Sequence, residues 1–203
     1  MLFPAAKSRI TIQDYLEREA SARDEHEYHD GEILMMAGGT YRESKVILSA
    51  GAAIHARLEG HPCQASESNT RVAVQPRSTY VYPDLTVVCG EPEFDPLDKR
   101  GTTLTNPAVV IEVLSDTTEA YDRGGKFDLY RDLPTLRGYV IISTSEATVA
   151  SFLRQPDGDW IFWYAKGLSA SIRLRSLGLS VPLSEIYDRI SFDAPGNGLE
   201  ASP

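Results

Sequence analysis

The chain has 203 residues, enough for one domain to bury a core without disulfide staples or a structural metal. Its 20 Lys and Arg against 29 Asp and Glu leave a net charge of −9, which argues against bulk attraction to nucleic acid or an anionic membrane but leaves room for a local basic cleft. With 42% apolar and 24% charged residues and no low-complexity tract, the composition excludes a disordered or fibrous chain.

Thr11 followed by Asp14 opens a short helix near 12–20, with Ile12, Tyr15 and Leu16 on one face. HEYHDGEILMMAGG reads as a hairpin over 25–37, because Asp30-Gly31 tolerates the positive φ angles of a tight turn. Thr40 and Glu43 form a capping-box pattern ahead of Ile47, Ala50, Ile54 and Leu58, which predicts a helix near 40–59 that Gly60 and Pro62 end. CQASES, TRVAVQ, YVYPDLTVVC and PAVVIEVLS then read as strands of one sheet. Helical spacing returns over 122–133 and stops before Pro134; RGYVIIST, TVASFLR and DWIFWYAK are further strands, the last two joined at Asp157-Gly158. LSEIYDRI forms a final short helix, and the tail after about residue 190 has no periodic apolar face and is expected to fray.

Cys63 and Cys89 lack CxxC spacing, so we expect two small core residues in a reducing cytoplasm, not a disulfide or a thiolate zinc site. No signal peptide or membrane span is expected. His26, His29, His55 and His61 have no zinc-type spacing and are assigned no chemistry.

Glu112 is the most informative position. It interrupts PAVVIEVLS, a near-continuous apolar run of the kind that fills a strand covered on both faces, and a buried carboxylate there requires a cation, hydrogen bonds or a proton. Asp84 opens a second such run directly after Pro83, and two strand carboxylates suit a hard divalent cation. Lys126 shares a helix face with Arg123 and Tyr130 and could turn toward them. Each residue also has a local reading: a structural ion pair for Glu112, a turn carboxylate for Asp84, a solvated cation for Lys126.

Taken together, YPDLTVV, VVIEVLS and YDRGGKFDLY resemble the PD-(D/E)XK nuclease superfamily. DGEILMMAGGT, TNPAVVIEVLSDTTEAYDRGGKFDLYRDLPTLRGYVII and LSEIYDRI narrow the resemblance to the Uma-two family of restriction endonucleases, once a domain of unknown function, over most of residues 11–190. The resemblance implies an α/β, restriction-endonuclease-like fold in a single domain spanning 1–203: a central mixed β-sheet flanked by helices, with an N-terminal hairpin and a C-terminal strand extension. It implies that Asp84 and Glu112 are catalytic and hold Mg²⁺, with Mn²⁺ as a substitute, and that the chain hydrolyses DNA; cutting of two strands would match a homodimer, and the cysteine usage a cytoplasmic location. The superfamily lysine stands two residues after the glutamate, where this chain has Leu114; Lys126 is the expected replacement, migrated to the next helix. Tyr130, Arg123 and Glu43 are expected to support the site, although the capping box explains Glu43 locally. The rival expectation is a non-catalytic nucleic-acid or protein interaction module on a nuclease scaffold, and a basic rim formed by Arg71, Arg77, Lys99, Arg100, Arg123 and Arg131 would favour the nuclease.

Overall fold

The structure is a computed structural model and describes residues 9–36, 38–114 and 125–192. Helix α1 (Ile12–Glu19) starts where expected, with the Thr11 side chain accepting the Asp14 amide, and buries Tyr15 and Leu16. Strands β1 (His26–His29) and β2 (Glu32–Met35) form the expected hairpin around Asp30 and Gly31, whose φ angles of 44° and 99° only a turn-tolerant pair adopts cheaply. Helix α2 (Tyr41–Arg57) begins with both halves of the Thr40–Glu43 capping box and buries Val46, Ala50, Ala53 and Ile54. Such a cap stabilises by about 1 kcal/mol, whereas burying one Val or Ile stabilises by about 1.5–3 kcal/mol, so the buried stripe dominates.

The strands that follow do not share one sheet, contrary to expectation. Strands β4 (Arg71–Val74), β5 (Thr79–Val81) and β7 (Thr103–Leu104) join the hairpin in a five-stranded sheet ordered β2-β1-β5-β4-β7. Strands β3 (Cys63–Glu67), β6 (Leu85–Cys89), β8 (Val109–Leu114), β9 (Gly138–Ser143), β10 (Thr148–Arg154) and β11 (Trp160–Lys166) form a six-stranded sheet ordered β11-β10-β9-β8-β6-β3. The run YVYPDLTVVC therefore crosses between sheets at Pro83-Asp84. Proline cannot donate to a ladder, which explains why the pairing breaks there. Two short strands went unread in the sequence, β12 (Ser171–Leu174) and β13 (Leu179–Pro182), which among the described residues form a two-stranded sheet with each other.

The reading of the cysteines needs correction. Cys63 and Cys89 stand opposite each other in the β3–β6 register, with Cα atoms 3.9 Å apart, and their Sγ atoms are bonded. Strand pairing made this disulfide, and CxxC spacing was the wrong test for it. The helix expected over 122–133 is described only from residue 125, where one helical turn, α3 (Phe127–Tyr130), ends before Pro134. The last helix, α4 (Leu183–Ile186), is short as expected; the tail from residue 193 lies outside the described residues.

Strand β8 organises the core by alternation. Val109, Ile111 and Val113 pack toward α2, while Val110 and Leu114 pack on the opposite face with Tyr130, Leu133, Leu136 and Tyr139. By the same alternation Glu112 belongs to that second face.

Candidate active site

Strands β6 and β8 run antiparallel, with Leu85 opposite Ile111; one step further along each strand stand Asp84 and Glu112. Asp84 sits just outside the ladder, and its Oδ2 accepts the Val113 N–H at 2.7 Å, which orients the carboxylate beside Glu112. Glu112 is 2% exposed. Its Oε1 accepts the Tyr130 hydroxyl proton at 2.8 Å, and its Oε2 lies 3.2 Å from Lys126 Nζ. The Lys126 side chain keeps 15% of its surface in solvent, so its positive charge stands at the boundary between Glu112 and the outside. Burial first, and then the Glu112 charge, push the Tyr130 phenol well above its ordinary range. Tyr130 therefore remains a neutral donor at working pH.

Asp84, Glu112 and Lys126 line a cleft of about 610 Å³, which Arg23, Glu25 and Glu43 also line, while Tyr130 is buried behind Glu112. Glu43 thus does two things: it closes the capping box at the Thr40 amide and presents a carboxylate to the cleft. Arg123 lies outside the described residues.

The basic rim does not form among the described residues. Arg71 is buried against Asp98, Arg77 pairs with Asp132, Arg131 pairs with Asp128, and Arg100 bonds the Ala20 carbonyl. The described lining of the cleft instead carries Arg23 and Lys126 against Asp24, Glu25, Glu43, Asp84 and Glu112. Burial, then the Glu19 and Glu67 charges, raise the Glu25 carboxyl, as expected where negative charge accumulates. Sequence reasoning passed over Arg23, Asp24 and Glu25 because a charged run before a hairpin reads as a solvated loop. His26 and His29 pair with Glu19 and Glu27.

Among the described residues no three or more of His, Cys, Asp and Glu converge as a metal cage. Two adjacent carboxylates on a negatively charged cleft still fit a hard cation such as Mg²⁺, which commonly takes one or two carboxylates and fills its other positions with water and substrate phosphate.

Residues 12–183 match the Uma2 family, described as "putative restriction endonuclease". The chain is 34% identical over 185 residues to the uncharacterized protein slr1290 of Synechocystis sp., covering 91% of this chain and 94% of the relative. It is 27% identical over 172 residues to sll1609 of the same organism, covering 85% and 96%. A crystal structure from Anabaena variabilis, titled a "putative nuclease belonging to DUF820", superposes with a TM-score of 0.68 at 16% identity, covering 87% of this chain and 97% of that one. At that identity the likeness speaks to the fold, which is α/β and restriction-endonuclease-like.

Proposed function

The chain belongs to the Uma2 family, and from that premise we propose a divalent-metal-dependent endonuclease that hydrolyses DNA phosphodiester bonds. The observation that carries the reading is the contact of Lys126 Nζ with the buried Glu112 carboxylate across fourteen residues of sequence. It supports the migrated-lysine expectation, since Leu114 occupies the position where the superfamily has its lysine.

Asp84 and Glu112 would hold the ion, Mg²⁺ or Mn²⁺. When bound, such an ion supplies a Lewis acid and lowers the pKa of a water. The Val113 amide fixes the Asp84 carboxylate, and the Tyr130 hydroxyl fixes Glu112, so neither must reorganise during the reaction. Lys126 presents its ammonium where a non-bridging phosphate oxygen would gain negative charge, and its own bond to Glu112 keeps it in place. Water would attack phosphorus as the bond to one sugar oxygen breaks; the attacking water gives up a proton to solvent and the leaving oxygen takes one from solvent, so no covalent intermediate on the protein is needed.

Cleavage of both strands of a duplex calls for two sites, so a homodimer is part of the proposal. A cytoplasmic location also belongs to it, but the Cys63–Cys89 disulfide opposes that part, because cytosolic thiols are kept reduced. A free-thiol count on protein taken directly from cells decides between them. The acidic lining of the cleft favours the second reading, an interaction module that has kept the scaffold without the chemistry. Plasmid and single-stranded DNA incubated with Mg²⁺, with Mn²⁺ and with EDTA separate the two readings. The nuclease cuts only with metal and stops on Glu112→Gln; cleavage that survives EDTA or that substitution overturns the proposed chemistry, and intact DNA throughout favours the module.

A further inference from the structure

The six-stranded sheet carries a second feature on the face that holds Glu112. Cross-strand register sets Glu112 opposite Ile141, Ile141 opposite Ala150, and Ala150 opposite Tyr164, so these four residues form one row running to the sheet edge. At about 4.8 Å per strand, Tyr164 stands about 14 Å from the Glu112 backbone. The adjacent row ends in Phe152 and Phe162, and the next on the other side in Thr148 and Lys166. Small residues in the middle and long ones at the edge leave a groove of about 350 Å³. Ile141, Ala150, Ser143 and Thr148 lie along it, and Phe162 and Tyr164 stand at its outer side.

The two rings are 52% and 65% exposed and lie nearly parallel, 24° apart with centroids at 6.2 Å. Exposed, paired rings on a sheet face are costly to leave in water and mark a binding surface. They are also tied to the candidate site through packing. Phe127, the neighbour of Lys126, stacks on Phe152 at 4.7 Å, and Phe152 meets Phe162 at 5.1 Å. The groove's described charges, Glu146 and Lys166, pair with each other at 2.7 Å, so it offers little to a phosphate. The Ser143 and Thr148 hydroxyls are already bonded to Ser145 and Glu146, so what the groove offers is an aromatic wall over a neutral floor, which suits a neutral, flat group.

We propose that this groove stacks unpaired nucleobases of the strand whose phosphate lies at Asp84, Glu112 and Lys126, so that the substrate is single-stranded DNA or a duplex frayed beside the cut. The inference rests on the nuclease reading for the position of the phosphate. A separation of about 14 Å corresponds to about four base steps of a stacked strand, so one oligonucleotide reaches both places. A fully paired duplex keeps its bases stacked on one another and cannot offer their faces to Phe162 and Tyr164.

The test uses wild-type protein without divalent metal, at low salt, and oligonucleotides carrying 2-aminopurine. Three ligands are compared: a single strand, its duplex, and an abasic strand of equal charge. The single strand should bind most tightly with quenched fluorescence. Phe162→Ala and Tyr164→Ala should each weaken it about tenfold, and Leu at either position should not restore it, because stacking needs a ring. Abasic binding should not change, and thermal melts should confirm folding. Equal affinity for all three ligands, or rescue by Leu, overturns the proposal. So does sedimentation showing that the Ala variants convert a dimer to a monomer with unchanged DNA affinity, since the rings would then pack against a second copy. Wild-type cleavage with ring variants that bind normally removes the groove and leaves the nuclease. Quenching without any cleavage removes the nuclease and leaves a base-binding groove.

Discussion

Two carboxylate–cation pairs among the described residues, Asp98–Arg71 and Glu112–Lys126, each have a buried carboxylate, and their surroundings differ. Asp98 and Arg71 have side chains only 5% exposed. Asp98 Oδ2 accepts from Arg71, the Thr102 amide and hydroxyl, and the Thr103 hydroxyl, while Oδ1 accepts the Arg100 amide. Arg71 in turn reaches the Thr103 and Tyr82 hydroxyls. Glu112 and Lys126 are the same kinds of group, but they line an open cleft beside a second carboxylate. A pair whose bonding capacity is saturated by its own loop pins that loop. A pair that opens on a cleft next to another carboxylate has the geometry to receive a ligand. Residue type and burial alone do not separate the two.

The widest gap should appear in stability. Asp98→Ala leaves Arg71 buried without its counter-ion and should cost about 3–5 kcal/mol in urea melts. Glu112→Gln keeps an acceptor for Tyr130 and should change apo stability by less than about 1 kcal/mol. Equal losses for both variants would make the Glu112 pair structural as well.

Activity should invert that order. Lys126→Met keeps most of the aliphatic stem, so folding should persist while DNA hydrolysis falls by about two orders of magnitude or more. If wild type cleaves DNA and the Met variant cleaves equally fast, Lys126 is a surface cation that happens to touch Glu112.

Acid should sharpen the contrast further. Burial opposes ionisation of Asp98, but hydrogen bonds from Thr103, Thr102 and the Arg100 amide, together with the Arg71 charge, outweigh it and hold the carboxyl well below the usual range. Because the folded value lies below the unfolded one, this stabilisation is complete above the unfolded pKa of about 3.9 and is lost as pH falls from there toward the folded value. Melts between pH 2 and pH 6 should therefore show an acid limb that is shallower in Asp98→Asn. An unchanged limb would mean that other carboxylates carry the acid sensitivity.

Tyr130→Phe should give the smallest kinetic change, although removing one buried bond to Glu112 costs about 1–3 kcal/mol in stability. Its effect on cleavage should be smaller than that of Lys126→Met, because the ring still packs against Tyr139 and only the anchoring of Glu112 is lost. A larger kinetic effect than Lys126→Met would place Tyr130 at the reacting phosphate.

The sequence by itself determined the features that depend on neighbours in the chain. Asp30-Gly31 demanded a hairpin turn, Thr40 and Glu43 a helix start, and a lone glutamate in VVIEVLS a compensated buried charge. Lys126 and Tyr130 could be joined to Glu112 because helical spacing and the resemblance to a known family pointed the same way. Only the tertiary structure decided what depends on register between distant strands. It split one predicted sheet at Pro83, placed Cys63 opposite Cys89, left Arg71, Arg77 and Arg131 in separate pairs, and aligned Tyr164 with Glu112 across β9 and β10. Local chemistry biases each segment's conformation, but a one-residue slip in pairing turns a side chain to the other face, and the packing of the whole core selects the register.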